Sequence, residues 1–241
     1  MKKFFLFTIA LSMISYMVCS QITFKKLKDE ANKVVNKDKS LTNQEVINGL
    51  KEALSIGTNN SSSKASKADG FFKNPEIKIP FPPEAVKMEI KLRQLGMGSQ
   101  VDKFILTLNR AAEEASKEAA SIFINAIKGM TISDGIGVLK GADNAATQYL
   151  KDKTSTDLKV KFKPVVNRAI QKVEVTKYWN PLITKYNKIP FVEKLNPDIE
   201  EYATQKALDG LFTLIAQEEL KIRKDPLARV TDLLKRVFGR D

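Results

Sequence analysis

The stretch VDKFILTLNRAAEEASKEAASIFINAI, residues 101–127, places Val101, Phe104, Ile105, Leu108, Ala111, Ala112, Ala115, Ala119, Ile122, Phe123, Ala126 and Ile127 on one face. Apolar groups recurring every three or four residues make one stripe of an α-helix, here roughly eight turns long. Ser99 and Asp102 have the spacing of an N-terminal cap. The alanine-rich middle lets a second helix approach closely. Asn109 and Arg110 interrupt the stripe just where it turns small. The default role for Asn109 is a hydrogen bond to a neighbouring element. The alternative is a polar patch, Asn109 and Arg110, facing a groove that receives a ligand.

Upstream, DGFFKNPEIKIPFPPEAVK (69–87) reads differently. Pro75, Pro80, Pro82 and Pro83 lack the amide hydrogen of a helix interior and push the residues before them toward extended backbone. Ile77, Ile79 and Phe81 alternate with polar groups, so the segment is expected to be an apolar strap laid across a helical bundle. Pro83 opens the next helix, through Leu95 with a stop at Gly96. Before the strap, Thr42 and Glu45 start a helix carrying Val46, Leu50 and Leu54. It is expected to stop at Gly57, with TNNSSSKASKADG (58–70) a loop or weak helix.

Downstream, Thr131 with Asp134 caps a short helix to Leu139, and Asp143 starts another to Leu150. KDKTSTD (151–157) reads as a turn. Leu158, Phe162, Val165, Val166, Ala169, Ile170 and Val173 form the next stripe, with Pro164 near its first turns. Residues 176–197 hold a short helix interrupted by Pro181 and closed by Pro190. From Asp198 a long helix buries Tyr202, Leu208, Leu211, Ile215 and Leu220. Asp225-Pro226 ends it and begins the last helix, which carries Leu227, Val230, Leu234 and Phe238. No turn signal joins alternating strands. The fold class is therefore all-α: a single multi-helix, bundle-like domain with an extended proline-rich strap at about 69–83.

The chain begins MKKFFLFTIALSMISYMVCSQ. A basic start, an apolar run and the small Ser20 before Gln21 form the pattern of a secretory signal peptide of residues 1–20 cleaved between Ser20 and Gln21. A transmembrane anchor is the other reading, although the run is short for one. Met17 and Val18 fit poorly before a lipid-bearing Cys19. Residues 21–40 read as a basic lead-in and 41–239 as the helical domain. The expected compartment is the periplasm or cell envelope of a Gram-negative-type bacterium. Cys19 is the single cysteine, so the domain relies on packing rather than disulfides. The 241 residues contain no histidine, which closes serine–histidine triads and histidine metal sites. No metal or cofactor is called for.

The formal charge of +12 reads most simply as that of a soluble basic protein; as a partner signal outside the inner membrane it favours anionic lipid headgroups, polysaccharide or acidic proteins over nucleic acid. Residues 159–188 hold seven lysines, Arg168 and one acid, Glu174, with Trp179 and tyrosines interleaved. Lys159, Lys161, Lys163, Lys172, Lys177 and Trp179 are the candidate binding residues; the plainer reading is a solvated helix face over a core. Glu113-Glu114 and Glu218-Glu219 are carboxylate pairs that could carry acid–base work or bind a metal, but adjacent helical residues diverge by about 100°, and the preferred reading is exposed charged turns with ion pairs such as Glu219–Arg223.

DGFFKNPEIKIPFPPE (69–84), LGMGSQVDKFILTLNRAAEEA (95–115), GADNAATQYLKDKT (141–154) and KALDGLFTLIAQEELKIRKDPLARVTDLLKRVFG (206–239) resemble a bacterial exported family catalogued as domain of unknown function 4197. The resemblance spans about Leu41 to Gly239. It implies a helical protein exported from Gram-negative-type cells, with no assigned activity and no catalytic residues to carry over. The preferred function is a non-enzymatic binding or structural role, with an envelope protein, an apolar ligand or an anionic lipid surface as partner. The alternatives are an enzyme using carboxylate, lysine or tyrosine chemistry in an interior pocket, and a peripheral binder of anionic membrane surface.

Overall fold

The computed structural model describes residues 41–195 and 198–239. The leader, Cys19, the Ser20–Gln21 junction, the lead-in of 21–40 and Pro197 lie outside the described residues. Four long helices carry the core: α1 (Asn43–Ala65), α3 (Gly98–Gly129), α5 (Ala145–Lys172) and α7 (Glu200–Lys224). Each packs on two neighbours, in the cyclic order α1, α3, α5, α7. Shorter helices finish the fold: α2 (Val86–Gln94) and α6 (Val175–Asn187) cover α3, while α4 (Gly135–Leu139) and α8 (Asp232–Phe238) lie on α1. Two single 3-10 turns, Pro83–Ala85 and Pro226–Ala228, precede α2 and α8, and the described residues contain no strand. The protein is an all-α multi-helix domain.

Most of the α3 stripe is buried as its spacing predicts: Val101, Phe104, Leu108, Ala111, Ala115, Ala119, Phe123 and Ile127 are almost inaccessible, while Ile105, Ile122 and Ala126 at its edges are half-exposed. The strap lies against both α3 and α7. Phe71, Ile77, Ile79 and Phe81 are all buried. Phe71 reaches α7 at Gly210, where an added Cβ would sit 2.6 Å from Phe71 Cε1. Phe81 packs edge-on against Phe104 of α3 at 5.3 Å and against Trp179 of α6 at 5.7 Å, and Phe104 stacks on Trp179 at 4.7 Å. At the strap's start the chain turns back over the end of α1, with Asp69 in the left-handed region (φ 67). A Cβ at Gly70 would lie 2.5 Å from the Ala65 carbonyl oxygen, so this turn requires glycine.

Several boundaries differ from the sequence expectation. Helix α1 does not stop at Gly57 but runs on to Ala65. Gly57, Thr58, Ser61, Ser62 and Ala65 form a buried small-residue face; an added Cβ at Gly57 would meet Glu218 Cβ on α7 at 3.3 Å. Close helix packing thus overrides the polarity of the segment. KDKTSTD is helix rather than turn, because α5 is continuous from Ala145 to Lys172. Leu150, Thr154 and Leu158 share its buried face, and Thr154 and Ser155 return their hydroxyls to the Leu150 and Lys151 carbonyls. Pro164 in mid-α5 and Pro181 inside α6 are exposed, so the amide each lacks falls on the solvent side and neither ends its helix.

Some caps also move. α3 begins one residue before Ser99, behind Met97, and Asn144 rather than Asp143 precedes α5. Asp134 itself caps α4 by accepting from the Gly137 amide at 2.7 Å. After α7, Asp225 caps only the 3-10 turn, and α8 waits for Thr231. Leu227 and Val230 are consequently exposed instead of buried, as is part of Leu220.

Candidate functional site

The polar residues that interrupt α3 converge on the strap. Asn109 is wholly buried. Its Oδ1 accepts the Ile79 N–H at 2.8 Å, and its Nδ2 donates to the carbonyls of Ile79 and Ile105, each at 2.8 Å. One side-chain amide thereby replaces the partner strand that Ile79 lacks. One turn on, Glu113 Oε1 accepts the N–H groups of Phe71 (3.1 Å) and Phe72 (3.2 Å). Arg110 donates to Glu113 Oε2 at 2.6 Å and to Asp69 Oδ1 at 2.7 Å. These bonds, Glu113 first, raise the Arg110 guanidinium above its ordinary value, and Lys73 and then Arg110 hold the Asp69 carboxyl below its own. Tyr202 of α7 donates to the Pro80 carbonyl at 3.1 Å, and burial, reinforced by Glu84, pushes its phenol up to about 12. Asn109 and Arg110 thus hold the strap, and Phe71 and Ile79 fill the space beside them.

A second buried carboxylate sits at the far end of α7. Glu219 accepts the Ala146 and Thr147 amides of α5 at 3.0 and 2.7 Å and the Thr147 hydroxyl at 2.6 Å. Arg223, the expected partner at four-residue spacing, donates to Glu219 Oε1 at 2.8 Å. Arg223 also donates to the Leu139 and Val138 carbonyls at the end of α4. An anion at a helix N-terminus and a cation at a C-terminus each match the local dipole. Of the two acidic pairs, Glu113 and Glu219 are buried structural ties rather than exposed groups. Their positions give the signal: Glu113 follows Asn109 by four residues, and Glu219 follows Ile215 by four, each in phase with an apolar stripe.

The basic run of 159–188 does not form one face. Lys159 and Lys163 pair with Glu201 of α7, Lys172 pairs with Glu114 of α3 at 2.6 Å, and Lys177 pairs with Glu174 at 2.9 Å. The pairing holds Glu201 low, through Lys159, and Glu114 low, through Lys117 and Lys172, while Glu174 raises Lys177. Trp179 is buried in the aromatic stack beneath the strap. Lys161 lines a groove, of about 510 Å³, between α3 and α5, together with Tyr149 and Lys153. A second groove, of about 550 Å³, lies between α5 and α7 over Phe212. The amides at the start of α5 that flank it already bond Glu219, so that helix end is not free to take an anion. Among the described residues no cluster of three or more acidic, cysteine or histidine groups is placed to hold a metal ion. No described helix is long and apolar enough to cross a membrane.

No curated protein and no solved structure matches the chain. The family described as protein of unknown function (DUF4197) matches residues 40–239, which is most of the sequence and all of the helices described above, and the chain belongs to that family.

Proposed function

We propose that the protein is an exported, non-catalytic binding or structural protein of the periplasm or cell envelope. The observation that carries this reading is the occupation of four polar side chains at the helix and strap junctions. Asn109 and Glu113 hold strap amides, Glu219 holds the amides of α5, and Arg223 holds the carbonyls of α4. A catalytic acid or base needs a face turned toward substrate, and these groups spend theirs on backbone. Tyr202, with its phenol pushed up to about 12, is a protonated donor to Pro80 and not a base. What is left for a partner is the outer surface, with its shallow grooves and its unpaired cations.

The test is isolation of the protein from fractionated cells. The expected result is a chain beginning at Gln21 in the envelope fraction, co-isolating with a protein or lipid at fixed stoichiometry. A cytoplasmic chain retaining residues 1–20 would overturn the export reading. Turnover of an ester, phosphate or glycoside substrate that is abolished by Glu113→Gln or Glu219→Gln, with folding retained, would overturn the non-catalytic one.

A further inference from the structure

Between α6 and α7 the chain makes a closed loop whose tip is a bare aromatic ring. Asn187, the last residue of α6, closes the loop: its Nδ2 donates to the Leu195 carbonyl at 3.1 Å, and its Oδ1 accepts the Leu195 N–H at 3.0 Å. Ile189 N–H donates to the Tyr186 carbonyl at 2.9 Å and continues the helix end into the loop. At the tip, Phe191 follows Pro190 and lies in the left-handed region, φ 62. A bulky residue with positive φ is a genuine outlier, and such outliers gather at functional positions. The residue is fully exposed. Burying that ring within the domain would have been favourable, yet the loop is built to hold it outward.

The surroundings of the ring are cationic. Lys188 and Lys194 flank the tip and Lys185 lies one turn back on α6; all three are exposed. None forms an ion pair among the described residues, in contrast to Lys159, Lys163, Lys172 and Lys177. Glu193 is the one acid within the loop, and beyond it Asp198 bonds the Glu200 amide while Glu200 accepts from Asn167. Ile189 and Val192 are half-exposed beside the phenyl ring.

We propose that the 188–195 loop is a wedge that docks the protein on an anionic bilayer, with Phe191 entering the headgroup–acyl boundary and Lys185, Lys188 and Lys194 lying at the phosphates. A protein partner is the less favoured occupant. A stable protein interface buries about 800 Å² on each side, and one projecting ring offers about 200 Å². A bilayer accepts a single aromatic without shape complementarity, and aromatic rings settle at its interface. Its negative surface potential matches the free lysines. This inference rests on the export reading, since it names the partner of an exported chain, but it concerns the loop alone.

The experiment uses the protein as processed by its host and vesicles of phosphatidylcholine with and without phosphatidylglycerol. All variants share one amino terminus, so any contribution from it cancels. Phe191→Trp places a reporter at the tip, while Trp179 is buried and contributes a constant background. The expected result is a blue shift on adding anionic vesicles that weakens at high salt. Phe191→Ser is expected to lower partitioning by at least about tenfold. Replacing Lys188 and Lys194 together by Gln is expected to do the same for anionic vesicles only. No blue shift, or equal partitioning of wild type and Phe191→Ser, overturns the proposal. So does a Phe191-dependent dimer or protein complex in light scattering with no vesicle binding. Because the substituted side chains, Lys188, Phe191 and Lys194, are themselves exposed, circular dichroism is expected to be unchanged in every variant. A failed vesicle result with a correctly exported chain refutes the wedge and leaves the export reading intact.

Discussion

At the scale of single residues, Asn109 decides how the strap is held. Its amide satisfies both backbone groups of Ile79 in a site closed to water. Truncation leaves a buried N–H and a buried C=O without partners, and each unsatisfied group costs about 1–3 kcal/mol. Asn109→Ala is expected to destabilise the protein by about 2–4 kcal/mol in urea unfolding, with the helical circular-dichroism signature retained. A loss under about 1 kcal/mol would mean that Ile79 finds other partners. Asn109 was conspicuous in the sequence as an amide on an apolar stripe. Its partner was not, because the residue that receives it lies 30 positions earlier in an extended segment. Glu113 and Glu219 were legible as helical residues but not as buried ones. A carboxylate can face inward only where another element brings backbone donors to meet it, and here those donors come from the strap and from α5.

At the scale of elements, two close approaches lead to opposite predictions. Phe71 lies against Gly210 of α7, with 2.6 Å to an added Cβ. Gly210→Ala gains helix propensity yet forces the ring or the strap to move. Overpacking of a filled core costs about 1–3 kcal/mol, against a propensity gain of about 1 kcal/mol. The net expectation is a destabilised protein by thermal unfolding, with Gly210→Val worse. On α1, by contrast, the hydroxyls of Thr58 and Ser61 are buried without a hydrogen-bond partner among the described residues. A desolvated, unpaired hydroxyl costs about 1–3 kcal/mol. Thr58→Val, close in shape, is therefore expected to raise the melting temperature, and Ser61→Ala to leave it equal or higher. A fall in both would show that the hydroxyls are satisfied in solution. These same small polar residues made the second half of α1 read as loop, since polarity is visible in a sequence and a tightly packed partner helix is not.

At the scale of the whole molecule, the pattern of charge predicts the response to pH. Asp69, Glu114 and Glu201 sit below their ordinary carboxylate values in the fold, held there by Lys73, Lys117 and Lys159 respectively as the leading causes. The unfolded chain therefore binds more protons in acid. The stability these groups contribute is present above the ordinary values of 3.8 for Asp69 and 4.5 for the two glutamates, and it is lost as pH falls through the lower folded values. Tyr202 acts in the opposite direction: its value is raised from 10.0 to about 12, so its contribution is lost as pH rises across that interval. With no histidine in the chain, the melting temperature is expected to be flat between about pH 6 and pH 8. It should fall below about pH 4.5. Tyr202→Phe should diminish the alkaline decline; an unchanged decline would remove Tyr202 from the account.

The all-α class, the long amphipathic α3, the burial of Ile77, Ile79 and Phe81 and the absence of histidine chemistry follow from composition, proline placement and helical spacing. Those are local properties, set by backbone sterics and by which side chains share a face. The length of α1 and α5, the exposure of Leu227 and Val230, the inward turn of Glu113 and Glu219, the scattering of the basic run into separate ion pairs and the bare ring of Phe191 were settled only by the tertiary structure. Each depends on what distant segments place beside a residue, and a partner many residues away leaves no periodicity in the chain it meets.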